Sequence, residues 1–293
     1  MTQNIADMRY KFKLKPYAHQ LEALEQSWYK DYFALFMDMG TGKSKVLIDN
    51  ISLLYDKGLI DSALIVAPKS VYHNWERKEL PAHLPDHIEA VIVAWSPEKT
   101  KKKEKELDKL DVIDYSLKIF LMNVEALSTK RGVKKATEFL QCRKALLAID
   151  ESTTIKSPKA ARTKNLIKLS KLSGYRRILT GSPVTKSPID LYSQCEFLQE
   201  ECLNQSSYWS FQNRYAKLVR RTVGTHSFHA VVGYQNLTEL NSLLRPFSYR
   251  VRKEECLDLP DKVYIKREVE LTQDQQKLYS DLKNHAIAFV EAV

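Results

Sequence analysis

The chain has 293 residues, 44% of them hydrophobic and 28% charged, a globular composition with room for one large domain or one domain and part of another. No apolar run reaches the roughly 18 residues of a membrane span, Met1-Thr2-Gln3-Asn4 is no signal peptide, and the four cysteines show no C-x-x-C spacing. These features exclude a membrane protein, a disulfide scaffold and a zinc ribbon, and they predict a cytoplasmic protein with buried free thiols. The net charge of +10 points to a polyanionic partner.

In chain order, a helix-like segment from Gln20 to Tyr29 precedes the apolar run Phe33 to Phe36, which leads into Met37-Asp38-Met39-Gly40-Thr41-Gly42-Lys43-Ser44. A strand ending in G-x-G-K-S, with a helix from Lys45 to Leu54 behind it, is a loop that grips a nucleoside triphosphate. Small residues turn backbone N–H groups onto the phosphates, the Lys43 ammonium reaches the outer phosphates, Ser44 ligates Mg²⁺, and the helix N-terminus adds positive potential. Met37 stands where the full pattern has its first glycine. Further apolar runs lie at Ala63 to Ala67, Ala90 to Ala94 and Ile119 to Met122, with a helix-like segment from Val71 to Leu80. The run Lys99 to Lys109, interrupted by Glu104, Glu106 and Asp108, reads as an exposed helix or loop.

Ala145 to Ile149 is a continuous apolar strand that delivers Asp150-Glu151 to its C-terminal end, where open α/β sheets carry their chemistry. Asp150 would hold Mg²⁺ through water, and Glu151 would orient or deprotonate the attacking water. Arg177 to Leu179 reads as one more strand. Strands alternating with helices predict a doubly wound, mainly parallel α/β sheet over roughly residues 30 to 190. Between Glu151 and Asp190 there is no acidic residue, and a helix starting at Ser157-Pro158 would put Lys164, Lys168 and Lys171 on one face opposite Leu166. That face is either a phosphate-binding surface or a solvated one.

Beyond Leu198 the pattern changes. Aromatic residues from Tyr208 to Tyr215 predict a helix with its own local core, Thr222 to Gly233 a loop or hairpin, and Leu237 to Leu244 a helix ending near Pro246. Leu259-Pro260-Asp261-Lys262 reads as a linker, followed from Val263 by strand-like alternation and a helix, as if a further domain were opening. The expected division is an ATP-binding domain over 1–198, a small mostly helical insertion over 199–250, and a linker with the start of a second lobe over 251–293.

In order and spacing, these segments resemble helicase superfamily two, and within it the Swi/Snf-type DNA translocases. Lys15-Pro16-Tyr17-Ala18-His19-Gln20 looks like the adenine-reading glutamine motif, with Gln20 as reader. Met39-Gly40-Thr41-Gly42-Lys43-Ser44 matches the family's phosphate loop, which also lacks the early glycine. Pro68-Lys69 through Asn74-Trp75 is similar to a motif that touches the nucleic-acid backbone in the family. Asp150-Glu151-Ser152-Thr153 with Lys156 resembles the acidic motif, and Thr180-Gly181-Ser182-Pro183 the motif that couples hydrolysis to movement. Leu244-Arg245-Pro246-Phe247 and Leu257 to Lys262 have counterparts near the end of the family's first motor domain.

The resemblance implies a RecA-like P-loop fold, ATP and Mg²⁺ as cofactors, duplex DNA as track with RNA left open, and site residues carried over position by position. Lys43, Asp150 and Glu151 are the expected catalytic residues, Gln20 and Met39 to Ser44 the ATP contacts, and Ser44 and Asp150 the metal-facing pair. Pro68, Lys69, Asn74, Lys156 and Ser182 are the expected nucleic-acid contacts. The family also uses a second RecA-like lobe, in cis or in trans, to supply an arginine finger; Arg176, Arg177 and Arg250 all belong to the first. Two other classes stay open on the residues alone. One is a P-loop kinase built on Lys43 and Ser44, and the other a non-catalytic lobe that holds DNA or a protein while another chain completes the ATPase.

Overall fold

Six apolar runs become six strands in the computed structural model, which describes residues 10–98, 100–112, 114–223, 226–256 and 265–291. They are β1 (Tyr32–Met37), β2 (Ser62–Ala67), β3 (Ala90–Ala94), β4 (Leu117–Asn123), β5 (Ala145–Asp150) and β6 (Tyr175–Thr180). A two-stranded antiparallel hairpin, β7 (Ala216–Val223) and β8 (His226–Tyr234), stands apart from the main sheet, and β9 (Ser248–Val251) returns to it. The seven-stranded sheet has the order β3-β4-β2-β5-β6-β1-β9, with every neighbouring pair parallel. β2 and β5 are buried at every residue, as continuous apolar strands must be when helices cover both faces, whereas the edge strand β3 is mostly half-buried. Helix α1 (Ala18–Ser27) precedes β1, and α2 (Lys43–Asp56) forms the crossover from β1 to β2.

The sheet outruns the predicted limit near residue 190, because β9 adds to β1 with Ala34 opposite Ser248 and Met37 opposite Val251. Ser248-Tyr249-Arg250-Val251 is a short, polar edge strand with no apolar run to announce it. The 199–250 segment is not mostly helical either. Helices Tyr208–Tyr215 and Leu237–Leu244 flank the hairpin, and Phe211 and Tyr215 form the local core expected of the aromatic stretch. The basic helix begins at Ala161, after Ser157-Pro158, and leaves Lys164, Lys168 and Lys171 exposed, Lys171 pairing with Glu200 at 2.8 Å. The lysine-rich run forms the exposed helix Lys101–Asp108, and Lys99 lies outside the described residues. All four cysteines are free, but only Cys195 is buried; Cys142 is exposed.

Two compact units divide at Leu257/Asp258. The second contains the helix Gln273–Glu291, and its residues 265–272 form no strand, so the alternation read there does not become sheet. The linker Leu259 to Lys262 lies outside the described residues. No described helix is long and apolar enough to cross a membrane.

Arg177 on β6 is fully buried, and burial pulls its pKa down. It is held by acceptors rather than by a carboxylate. Nε donates to Asn50 Oδ1 at 2.8 Å, Nη2 to Ser27 O at 2.8 Å and Lys30 O at 2.7 Å, and Nη1 to Arg176 O at 2.8 Å and Asp31 O at 3.3 Å. Ser27 is the last residue of α1, so the guanidinium caps that helix and joins it to β6 and, through Asn50, to α2.

Candidate active site

The backbone turns left-handed at Gly40 and Gly42, with φ +83° and +86°, before α2 begins at Lys43. Those angles need glycine, and at Gly42 space does too: a Cβ there would lie 2.2 Å from Gln20 Nε2. Gln20 is buried and braces the loop, its Nε2 donating to Thr41 O at 3.0 Å while Oε1 accepts from Tyr17 N at 3.0 Å. His19 Nε2 meets the same Thr41 carbonyl at 2.8 Å. Lys43 Nζ rests on Asp38 O at 3.3 Å, an oxygen that also accepts from Thr41 Oγ1 at 2.7 Å. Ser44 is half-buried at the first turn of α2, and Met39 is exposed on the loop's outer side.

Alanine at Gly42 is expected to cost about 1–3 kcal/mol of stability through its φ, and to push Gln20 off Thr41. Affinity for a fluorescent ATP analogue should fall at least about tenfold with the loop so displaced, a loss of some 1.4 kcal/mol. A Gln20→Ala background should relieve the contact but not the backbone strain. Thermal melts and titrations of the single and double variants check this, and wild-type values for Gly42→Ala would refute it.

Asp150 ends β5, one strand away from β1 across β6. Burial raises its carboxyl pKa, Glu151 adds to the rise, and the indole of Trp75 and the charge of Lys43 oppose it. Trp75 Nε1 donates to Asp150 Oδ2 at 2.9 Å, and Glu151 N donates to Oδ1 at 3.0 Å. Glu151 itself sits at φ +50°, a left-handed conformation that costs a non-glycine residue energy and turns its side chain away from the strand direction. Its Oε2 lies 3.5 Å from Thr180 Oγ1 at the end of β6.

β6 therefore brings Thr180-Gly181-Ser182 between the phosphate loop and the acidic pair. A Cβ on Gly181 would lie 3.3 Å from Met39 N, a tight approach to the loop's backbone, and Ser182 N donates to Thr180 Oγ1 at 3.2 Å. On the other side Ser152 Oγ donates to Gln194 Oε1 at 2.6 Å, and Gln194 Nε2 donates to Pro183 O at 2.9 Å. Lys156 Nζ donates to Thr185 Oγ1 at 2.6 Å. Two loops named from sequence are thus tied together by Gln194, which sequence reading did not single out.

The remaining expected residues are spread along the same edge. Lys69 is exposed and Pro68 half-buried after β2, whereas Asn74 donates through Nδ2 to Glu79 Oε1 at 3.1 Å. Trp75 and Asp38 were also missed as site residues. Asp38 Oδ2 accepts from Lys253 N at 3.0 Å, and Asp38 N donates to Val251 O at 3.2 Å, which fastens the end of β9 to the phosphate loop. Arg176, Arg177 and Arg250 lie on β6 and β9, Arg177 committed to the core and Arg250 exposed at the sheet's edge.

A glycine-bent phosphate loop and an acidic pair, at strand ends on either side of β6 in one parallel sheet, place the chain among RecA-like P-loop domains. A family model described as the SNF2-related domain matches residues 24–292, and the chain belongs to that family. Among curated relatives, the chromatin-remodeling ATPase INO80 of Candida albicans is 26% identical over 249 residues, covering 84% of this chain and 17% of its own length. INO80 of Saccharomyces cerevisiae strain YJM789 is 28% identical over 258 residues, covering 87% and 16%. The helicase-like transcription factor of Mus musculus is 23% identical over 265 residues, covering 88% and 25%. The chain thus spans a quarter or less of the length of these relatives. Its fold is shared with the SWI2/SNF2 ATPase core of Sulfolobus solfataricus, solved in complex with dsDNA, at a TM-score of 0.62 and 23% identity over 97% of this chain and 55% of that one.

Proposed function

We propose that the chain is the ATP-binding lobe of a DNA-dependent motor, hydrolysing ATP to move along duplex DNA. The carrying observation is the convergence of the phosphate loop after β1, Thr180 at the end of β6 and Asp150-Glu151 at the end of β5, three consecutive strands of the sheet, with Thr180 Oγ1 3.5 Å from Glu151 Oε2 and Gly181 closely packed on the loop at Met39. The donor set suits Mg·ATP: a half-buried Ser44 hydroxyl, a carboxylate whose protein partners are two N–H donors, and a lysine resting on a carbonyl alone. Ser44 and Asp150 would hold Mg²⁺, which neutralises charge on the outer phosphates.

Lys43 then binds the β- and γ-phosphates, Glu151 orients the water and takes its proton, and Thr180 fixes Glu151. Gln20 supports Thr41 and has one N–H left for adenine. Gly40 to Gly42 supply backbone donors, with Met39 at their rim. Pro68, Lys69, Asn74, Lys156 and Ser182 face the phosphate backbone of DNA, with Thr180-Gly181-Ser182 reporting the γ-phosphate to that surface. Residues 1–198 together with β9 form the ATP-binding domain, the segment between them is an insertion, and a second RecA-like lobe, in cis or in trans, supplies the arginine that completes the site; the protein works wherever its DNA lies.

The test is phosphate release from ATP with and without duplex DNA across a salt series. Stimulation that fades steeply with salt is expected, because each contacted phosphate releases counterions. Hydrolysis indifferent to DNA, together with no DNA binding at low salt, would refute the motor reading.

A further inference from the structure

The β7–β8 hairpin has no role in the site just described, and its composition is unusual. From residue 202 to residue 238 there is not one aspartate or glutamate, while Arg214, Lys217, Arg220 and Arg221 fall there. Arg214 bonds Glu239, but among the described residues Lys217, Arg220 and Arg221 have no carboxylate partner. Only the base of the ribbon is anchored: Tyr215 and Ala216 are buried, and Gln235 N donates to Tyr215 O at 3.0 Å. Above it both faces meet solvent. Phe228 is 49% exposed, Val219 47% and Val232 52%.

The register sets Arg220 opposite His229 and Arg221 opposite Phe228, and successive residues of a strand point to opposite faces. Each face of the ribbon thus carries a cation beside a ring. A lone two-stranded ribbon is marginal in water, and one exposing apolar side chains on both faces lacks a partner. An acid-free surface selects a polyanion, and the major groove of B-DNA is wide enough for a two-stranded ribbon flanked by phosphates on either side.

We propose that the β7–β8 ribbon enters the major groove of duplex DNA edge-on, the face that carries Arg220 and His229 turned to one backbone and the face that carries Arg221 and Phe228 to the other, each arginine on a phosphate. The proposal rests on the DNA-motor reading and adds a contact on elements separate from those that carry Lys69 and Ser182. The test is fluorescence anisotropy of a labelled duplex over a salt series, for the full chain and for Arg220→Ala/Arg221→Ala, Phe228→Ala and Lys69→Ala.

Loss of two phosphate contacts should make the salt dependence of log K shallower by about two and weaken binding roughly ten- to a hundredfold near 0.1 M salt. Affinity for a fluorescent ATP analogue should stay unchanged. Lys69→Ala should lower the slope by about one, independently of the ribbon. A wild-type chain that does not bind duplex DNA would overturn the motor reading and the ribbon with it. Wild-type binding matched by the double variant would overturn the ribbon alone. Should a variant unfold, Phe228→p-benzoylphenylalanine decides the matter by photocrosslinking: DNA adducts are expected, and adducts to protein only would refute the proposal.

Discussion

Glu151→Gln is expected to slow ATP hydrolysis by about 10² to 10⁴, the usual range for removing a general base, while Mg·ATP affinity stays within a few-fold. The substitution is nearly isosteric and leaves Lys43, Ser44 and Asp150 in place, so the ground-state contacts persist and only proton removal is lost. Lys43→Ala should act the other way, weakening binding first, because its ammonium, which rests on the Asp38 carbonyl, is proposed to bind the phosphates and takes no part in the hydrophobic core. Single-turnover phosphate release with enzyme in excess over ATP, at saturating duplex DNA, makes even slow rates readable. A Gln variant within threefold of wild type would remove Glu151 from the chemistry.

The second large effect concerns stability. Arg177→Met should destabilise the first compact unit by about 3–5 kcal/mol, since it removes a buried cation and strands the carbonyls of Ser27, Lys30, Asp31 and Arg176 together with Asn50 Oδ1. A melting temperature lower by roughly 10 °C follows for a unit of this size. Arg177→Lys should lose almost as much, because an ammonium cannot reproduce the planar fork that serves these acceptors. Denaturant unfolding measures it, and a loss under about 1 kcal/mol would mean that water replaces the guanidinium. The effect should also reach the nucleotide loop, because the same residue caps α1, which carries His19 and Gln20.

The central strands were legible because a parallel sheet covered on both faces demands unbroken apolar runs, and β2, β4 and β5 supply them. β9 was not, because its four residues alternate in burial over too short a stretch to stand out, and the hairpin reads in sequence only as a loop or hairpin over Thr222 to Gly233, because a ribbon exposed on both faces lacks the alternation that burial imposes. In the site, the glycines, Lys43 and the Asp150-Glu151 pair were readable because their spacing is local. Trp75 on Asp150, Gln194 between Ser152 and Pro183, and Asp38 under Lys253 were not, since each depends on segments far apart in the chain that only folding brings together. Arg177 reads in sequence as the start of a strand, and its role was hidden because the carbonyls and amide that hold it come from Ser27 to Asp31 and Asn50, far away in the chain.

The fastening of β9 to Asp38 has an energetic corollary. An edge strand with a single neighbour is where a sheet frays first, and here the fraying strand is bonded to the residue whose carbonyl supports Thr41 and Lys43. Opening of that edge and disorder of the phosphate loop are then one event rather than two. The apparent dissociation constant for nucleotide equals the intrinsic one divided by the closed fraction, and bound nucleotide slows hydrogen exchange at Val251 and Lys253 in return.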